Sequence, residues 1–278
     1  MTTKQNPKFP EGINSSQEQP LKEFFLLVTG VVLTIVVFVA CVTYFAQALS
    51  PYIPFAWEKS WVASMVTQSS EPTEDNKNMH EAELALQDLL QKLTPQSHND
   101  ISYNVQLLDD ATPNAFATLG GQIFVTTGLI ENIKSENGLA MVLAHEMAHV
   151  QHRHPIQSLS RGLIIQLVSA MIFSDTTTGT LLNQAGLITL LRFNRDMEKQ
   201  ADATALKTIG EFYGHTQGAD EFFNAMLVEH GDGLNVEFFN THPHTQSRID
   251  TIRNFNNTAG ELTSLATSLL NIKDDQSN

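Results

Sequence analysis

The sequence predicts an α+β protein that is mostly helical, carries a small antiparallel sheet, and is preceded by one transmembrane helix. Three observations support this fold class. An uncharged apolar run occupies residues 24–46, apolar side chains recur at three- and four-residue intervals from Leu139 to Val150, and two short β-branched segments meet at Gly120 and Gly121. We expect one folded domain after the apolar run, because the chain shows no internal repeat and no low-complexity tract.

The composition narrows the possible functions. The 278 residues carry a formal net charge of -14 at pH 7, which argues against a nucleic-acid-binding protein because phosphate contacts need concentrated lysine and arginine. Cys41 is the single cysteine, so the chain forms neither an internal disulfide nor a thiolate zinc cluster. Any bound metal must therefore be held by histidine and carboxylate side chains.

The first predicted elements are an amino-terminal segment, residues 1–23, and a transmembrane helix, residues 24–49. The apolar run exceeds the roughly 20 residues that a bilayer-crossing helix needs. Lys4, Lys8 and Lys22 precede it, so the positive-inside rule places the amino terminus in the cytoplasm. A cleaved signal peptide is the alternative, because the sequence AQA near the end of the run resembles a cleavage site. The long amino-terminal region favours an uncleaved anchor.

Residues 50–78 are expected to form an aromatic belt followed by a polar linker. Trp57 and Trp61 follow the apolar run closely, where aromatic side chains favour the membrane interface. The stretch TQSSEPTEDNKN lacks aromatic residues and periodicity, which is typical of a tether. The folded domain is therefore expected at residues 79–278.

A β-hairpin is predicted from two short strands, residues 114–118 and 122–127, which are joined through a glycine pair. The free edge of a hairpin can bind an extended peptide through main-chain hydrogen bonds, which do not depend on the sequence of the peptide. An ordinary hairpin that packs against helices is the alternative, and the two are compatible. The candidate substrate edge strand comprises Asn114, Ala115, Phe116 and Ala117.

The sequence HEMAH is predicted to lie in the middle of a helix that Ser135 caps and Pro155 ends. His145 and His149 are four residues apart, so both rings project from one face, roughly 6 Å apart, as two zinc ligands require. Glu146 lies beside them as a candidate general base that takes a proton from a metal-bound water.

A second predicted helix, RFNRDMEKQADATAL, offers a third ligand. Glu198 and Asp202 are four residues apart and share one face, next to the small residues Ala201 and Ala205 that allow close helix packing. We assign Glu198 to the metal and Asp202 to a hydrogen bond with a ligand imidazole. The alternative is a solvated helix face of alternating charge.

Four motifs resemble, in this order, those of the HtpX-like and CAAX-prenyl-endopeptidase-like zinc metallopeptidases of peptidase family M48. They are NAFATLGGQIFVTTGLI, LAHEMAH, EKQAD and THPHTQSRI, and together they span residues 114–249. The resemblance implies a zincin-like (gluzincin) metallopeptidase domain that binds one Zn2+ per chain. It assigns His145, His149 and Glu198 to the metal and Glu146 to the catalytic base.

The last motif adds two candidate catalytic residues by the same resemblance. His242 and Arg248 are expected near the metal, where a donor steadies the oxyanion that develops during hydrolysis. As an alternative, His242 reaches the zinc in a resting state, replaces the water and leaves the enzyme self-inhibited. His152 and His154, which follow the ligand pair, are interpreted as structural residues near a helix end.

Residues 162–191 hold two apolar pieces separated by SDTTTGT, where polytopic relatives insert further spanning helices. Each piece is too short to span a bilayer. We expect two amphipathic or buried helices joined by a mobile loop that covers the cleft as a lid.

The sequence therefore predicts a membrane-anchored zinc endopeptidase. By resemblance it acts in quality control of membrane or envelope proteins, with misfolded envelope proteins as substrates and the bilayer as a partner through residues 24–49. The expected location is a bacterial inner membrane, with a single span and the catalytic domain in the periplasm. The competing hypothesis is a non-catalytic or latent chaperone-like peptide-binding protein with a structural zinc, which a fourth ligand from His242 would favour.

Overall fold

The fold is described from a computed structural model. The described residues are 19–66, 77–94, 101–160, 162, 192–230, 242, 246–255 and 260–276. The chain divides into two compact units, residues 1–42 and residues 43–278. Most of the amino-terminal segment, the tether at 67–76 and the expected lid at 163–191 lie outside the described residues.

Helix α1, Pro20–Leu49, coincides with the apolar run. Within Pro20–Ala46 the most apolar 18-residue window has a mean hydropathy of 3.0, and 0% of that window is buried inside the protein. Within the described ranges it is the one helix long and apolar enough to cross a membrane. The helix begins ahead of the apolar run, at Pro20. Proline is tolerated in a first turn, because an N–H group there would have no acceptor within the helix.

The segment expected to form the aromatic belt contains a second helix. A 3-10 turn at Ser50–Tyr52 leads into α2, Phe55–Val66. Trp57 is 60% exposed, in keeping with an aromatic belt, but Glu58 is only 3% exposed. The Glu58 carboxylate accepts a hydrogen bond from the main-chain N–H of Gly120. Part of the segment expected to form the aromatic belt therefore contacts the folded domain through Glu58.

Helix α3, Lys77–Leu93, begins the core of the domain. Its buried side chains recur at three- and four-residue intervals, which is the spacing of one helix face. They are Ala82, Leu86, Leu89, Leu90 and Leu93. This face packs against the first strand of the sheet and against the last helix of the chain.

The sheet has three strands in the order β1-β3-β2, where β1 is Asn104–Leu108, β2 is Ala115–Ala117 and β3 is Gln122–Thr126. The β2–β3 pair is antiparallel, as the predicted hairpin requires, whereas β1 lies parallel to β3. The sheet is small as predicted, but it is mixed rather than antiparallel throughout. A parallel pair joins strands that no tight turn connects, so the sequence carries no local signal for it.

The turn between β2 and β3 depends on its two glycines. Gly120 and Gly121 have φ angles of 69° and 79°, a left-handed conformation that glycine adopts without steric cost. A Cβ atom on Gly121 would lie 2.2 Å from the carbonyl oxygen of Ser102. The turn therefore tolerates no side chain at this position.

The hairpin leads through α4, Thr127–Asn132, into α5, Glu136–Gln151. Ser135 caps α5 as predicted, because its Oγ accepts a hydrogen bond from the N–H of Gly138 at 3.1 Å. The HEMAH sequence lies in the carboxyl-terminal half of this helix.

Helix α5 ends earlier than predicted, at Gln151 rather than at Pro155. Arg153 has a φ of 61° and breaks the helix there. The chain becomes helical again at residues 154–160. Pro155 therefore lies in the first turn of a new helical segment, a position that its missing N–H suits.

The remaining described helices are α6, Arg195–Tyr213, α7, Glu221–His230, α8, Gln246–Asn254, and α9, Thr267–Gln276. Asn194 caps the amino-terminal end of α6, because its Oδ1 accepts hydrogen bonds from the N–H groups of Asp196 and Met197 at 3.0 Å. The helix ends at Gly214, which adopts a φ of 77°. Helices α5 and α6 pack against each other and carry the candidate site between them.

Candidate metal centre

Helices α5 and α6 bring the three predicted metal ligands together. His145 and His149 lie one turn apart on α5, Glu198 lies in the first turn of α6, and all three side chains are buried. Ala201 and Ala205 are fully buried on α6. Their small side chains let the two helix backbones approach closely, as the sequence predicted.

The donor atoms of these residues converge. Nε2 of His145 lies 3.0 Å from Nε2 of His149, and the two nitrogens lie 3.3 and 3.4 Å from the carboxylate oxygens of Glu198. His242 joins them, because its Nδ1 lies 3.1 Å from Glu198 Oε1 and 3.4 Å from His145 Nε2. One donor atom from each of the four residues lies within 4.8 Å of the others.

This arrangement suits a zinc ion. In a tetrahedral site with metal–nitrogen distances of about 2.0–2.1 Å, neighbouring ligand atoms lie roughly 3.3 Å apart. Imidazole nitrogens and a carboxylate that face one point present more lone pairs than N–H protons, and a cation satisfies that surplus. Nitrogen and oxygen donors without a thiolate are a ligand set that zinc accepts. The residues therefore fit the metal that the motifs predict.

The two histidines of α5 have opposite protonation tendencies. Burial acts to lower the pKa of His145, but hydrogen bonds to Asp202 and Glu198 outweigh it and raise the pKa to about 10. Burial lowers the pKa of His149 well below its usual range. In the metal-free protein the His145 ring is thus positively charged at neutral pH, with a proton on each nitrogen. A metal ion must displace the proton on Nε2 in order to bind.

Glu146, the predicted base, is fully buried beside the ligands. Its Oε2 accepts a 2.7 Å hydrogen bond from the N–H of Ala117 in β2, and its Oε1 lies 3.5 Å from Nε2 of His242. Burial raises the pKa of this carboxyl group, against the opposing effect of the nearby histidines. A raised pKa makes the carboxylate a stronger base, which favours its taking a proton from water.

Asp202 lies on the far side of the His145 ring. Its Oδ1 is 3.0 Å from Nδ1 of His145, so the opposite nitrogen, Nε2, faces the metal position. Burial acts to raise the pKa of Asp202, but hydrogen bonds from Arg248 and His145 lower it. The structure thus places Asp202 at the contact that the sequence assigned to it.

Arg248 lies beside the candidate metal ligands, where it contacts two carboxylates. Its Nε and Nη2 form a fork on the Asp202 carboxylate at 2.6 and 2.8 Å, and its Nη1 lies 2.7 Å from Glu198 Oε2. The residue is 2% exposed. These contacts allow the guanidinium to position Glu198 and Asp202. The predicted oxyanion role of Arg248 stays a prediction.

His242 is fully buried in the centre of the site. Its Nδ1 faces Glu198 and His145, and its Nε2 faces Glu146. The residues on either side, 231–241 and 243–245, lie outside the described ranges. Both predicted roles, as an oxyanion donor and as a fourth metal ligand, are compatible with this position and stay predictions.

The predicted edge strand lies next to the base. Thr118 donates its N–H to Gln122, and Asn114 accepts from Thr126, so the main-chain groups of even-numbered residues in this stretch face β3. Those of the odd-numbered residues face away from β3, and one of them is the Ala117 N–H that reaches Glu146. The free edge of β2 therefore points toward the candidate metal centre.

Two neighbours of His149 were not predicted. Nδ1 of His154 lies 3.0 Å from Nδ1 of His149, and Phe193 stacks on the same ring with 3.9 Å between centroids. His154 was interpreted only as a helix-end residue, and the left-handed turn at Arg153 that brings it back leaves no mark in the sequence. The apolar residue just before the helix cap Asn194 was the available signal for Phe193.

Along most of its folded domain the chain is similar to known proteases. The sequence pattern of Peptidase family M48 matches residues 79–256. The mitochondrial metalloendopeptidase OMA1 of Schizosaccharomyces pombe is 33% identical over 156 residues, which is 54% of this chain and 46% of that protein. The protease HtpX homolog of Ralstonia nicotianae is 29% identical over 187 residues, 52% of this chain and 65% of that protein.

A third relative is the putative beta-barrel assembly-enhancing protease of Vibrio cholerae. It is 26% identical over 174 residues, 55% of this chain and 35% of that protein. The chain spans about half the length of the curated yeast relatives that it matches, 46% in one case and 58% in the other.

Proposed function

Because the chain belongs to peptidase family M48, we propose that it is a membrane-anchored, zinc-dependent endopeptidase. The observation that carries this proposal is the convergence of His145, His149 and Glu198 next to the buried carboxylate of Glu146. The names of the relatives, which are metalloendopeptidases and proteases, support it.

The metal would be held by His145, His149 and Glu198. When bound, zinc lowers the pKa of a coordinated water toward about 7 and polarises the carbonyl of the scissile bond. Asp202 accepts the Nδ1–H of His145 and so directs Nε2 toward the metal. Arg248 supplies the positive charge that keeps the carboxylates of Glu198 and Asp202 ionised in a buried site.

Glu146 performs the proton transfers in this mechanism. It takes a proton from the attacking water and returns it to the leaving amine. The hydrogen bond from Ala117 fixes Oε2. Oε1 accepts no hydrogen bond from the described residues, which leaves it as the atom that handles the proton.

The substrate would bind as an extended strand along β2. The main-chain groups of Ala115 and the carbonyl group of Ala117 face away from β3, so a peptide can add to this edge as a fourth strand of the sheet, while the Ala117 N–H stays bonded to Glu146. Main-chain hydrogen bonds do not read side chains, so many unfolded segments would fit. This tolerance supports a role in quality control, with misfolded envelope proteins as substrates.

The proposed location is a bacterial inner membrane. Helix α1 would cross the bilayer, with the lysine-rich amino terminus in the cytoplasm and the catalytic domain in the periplasm. The relatives include bacterial and mitochondrial proteins, and the bacterial assignment draws on two of them.

The experiment that tests the activity uses the full chain in detergent with unfolded casein as substrate. Cleavage should stop when a chelator removes the metal, return when zinc is added back, and produce fragments with new internal termini by mass spectrometry. Cleavage that persists without metal, or no cleavage at any zinc concentration, would contradict the proposal.

The position of His242 favours a second candidate, a latent protein whose zinc has four protein ligands. A fourth ligand closes the coordination shell, which is typical of a structural site, and leaves no position for a water. His242→Ala separates the possibilities. Latency predicts that the variant cuts faster than the wild type, an oxyanion role predicts that it cuts more slowly with zinc bound, and a peptide-binding protein with structural zinc predicts weaker zinc binding without cleavage.

A further inference from the structure

The juxtamembrane helix α2 is joined to the folded domain by an ion pair between the buried Glu58 and the partly buried Arg153. Oε1 of Glu58 lies 2.9 Å from Nη2 of Arg153, and Oε2 accepts a 3.1 Å hydrogen bond from the N–H of Gly120. Arg153 also donates to the carbonyl oxygen of Ile53 and lies over the Phe55 ring, 5.5 Å from its centroid. We call the group of Glu58, Arg153 and the Gly120 N–H the clasp.

The backbone at Arg153 indicates that its side chain is needed there. Its φ of 61° lies in the left-handed region, which favours glycine and costs an ordinary residue conformational energy. Among the described residues it is the one non-glycine residue with a positive φ. An arginine at such a position is explained by its contacts with Glu58, Ile53 and Phe55.

The hairpin turn is shaped to receive α2. A Cβ atom on Gly120 would lie 3.1 Å from the Cα of Lys59, and a Cβ atom on Gly121 would lie 3.1 Å from the ring of Phe55. Both distances are tighter than ordinary van der Waals contacts. The glycine pair therefore serves the approach of α2 as well as the turn itself.

The clasp touches both elements that form the candidate site. Gly120 follows the edge strand β2, whose Ala117 N–H binds Glu146. Arg153 follows α5, the helix that carries His149. One carboxylate on α2 thus connects the end of the metal-binding helix with the turn of the substrate-binding hairpin.

We propose that Glu58 and Arg153 are positioning residues that hold the edge strand in place against the metal-binding helix, and that α2 is therefore part of the catalytic unit. The kinetic part of this inference rests on the proposed peptidase activity. Neither residue contacts the candidate ligands, so the clasp acts on substrate alignment through β2 and leaves metal binding intact.

The test compares full chains in lipid nanodiscs. Glu58→Gln keeps an acceptor for Gly120 but removes the charge that pairs with Arg153. Arg153→Gly removes the guanidinium and suits the left-handed backbone, so it relieves conformational energy instead of adding it. The matched control is Glu211→Gln, which breaks an exposed ion pair with Lys207.

Four quantities are measured for each protein: zinc per chain, the kcat and the KM for a fluorogenic peptide, and amide hydrogen exchange of residues 115–126 by mass spectrometry. We expect unchanged zinc, a KM raised by about tenfold with kcat nearly unchanged, and faster exchange in both clasp variants, because uniform substrate binding is lost. The double variant should be no worse than the single ones, since both remove one interaction.

Unchanged KM and unchanged exchange in both clasp variants would overturn the inference and leave α2 as a tether. Loss of zinc in the same variants would also overturn it, because the clasp would then support the metal centre itself. If the wild type cuts no peptide, the proposed function fails. Hydrogen exchange still decides the clasp, because unchanged exchange at the hairpin refutes it with or without activity.

Discussion

Arg248→Met removes the one guanidinium that contacts Glu198 and Asp202 in the described part of the site. Arg248 makes three close contacts with these carboxylates, at 2.6, 2.7 and 2.8 Å, and all three side chains are buried. Methionine fills a similar length of space without charge. Among the described residues, the variant therefore leaves two buried carboxylates in contact with the protonated ring of His145 but with no guanidinium.

The expected loss of stability follows from this arrangement. Removing one partner of a buried ion pair costs about 3–5 kcal/mol, and the proton on His145 places this case near the lower end. A loss of about 3 kcal/mol lowers the Tm of a domain of this size by roughly 6–12 °C. Part of the loss should be recovered at low pH, where the carboxylates become neutral.

The assay is thermal unfolding of the metal-free full chain, followed by near-ultraviolet circular dichroism in detergent. The matched control is Arg253, which lies on the same helix. It pairs with Asp220 at 3.2 Å, but its side chain is 44% exposed. Arg253→Met should cost less than about 1 kcal/mol. If Arg248→Met were no more destabilising than Arg253→Met, the assignment of Arg248 as the buried counter-ion would be wrong.

Three further predictions concern the metal centre. Asp202→Asn should weaken zinc binding by about 10- to 100-fold, because the partner that orients His145 is lost, and competition with a chromophoric chelator would show it. Zinc affinity should rise by roughly tenfold per pH unit from about pH 6 to 8, because His145 must lose its proton to bind; calorimetry that finds no pH dependence would contradict this. Ala205→Leu should push α5 and α6 apart, lower the free energy of unfolding by about 1–3 kcal/mol and weaken zinc binding. Ala203→Leu, on the exposed side of α6, should leave both the stability and the zinc affinity unchanged.

Local patterns predicted much of the metal centre. The four-residue spacing of His145 and His149 places both rings on one helix face, and the same spacing places Asp202 one turn after Glu198. Ser135 was recognisable as a helix cap from its position before the periodic run. These signals act within one or two helical turns, so a single sequence displays them.

Contacts between distant segments could not be predicted in the same way. Arg248 and Asp202 are 46 positions apart, and Glu58 and Gly120 are 62 positions apart. Such pairs form only when packing brings their elements together, and they leave no periodicity in the chain. For this reason the sequence did not predict the contacts of Arg248 with Glu198 and Asp202, or those of Glu58 with Gly120 and Arg153.

The measurement that tests the central claim most directly compares wild type with Glu146→Gln, using full chains that have been loaded with zinc. Glutamine keeps the size of the side chain and an acceptor for the Ala117 N–H, but it cannot take a proton. Both proteins should contain one zinc per chain, and the variant should cut peptide about 10²- to 10⁴-fold more slowly. A variant that retains zinc and cuts at nearly the wild-type rate would contradict the assignment of Glu146 as the base and, with it, the proposed mechanism.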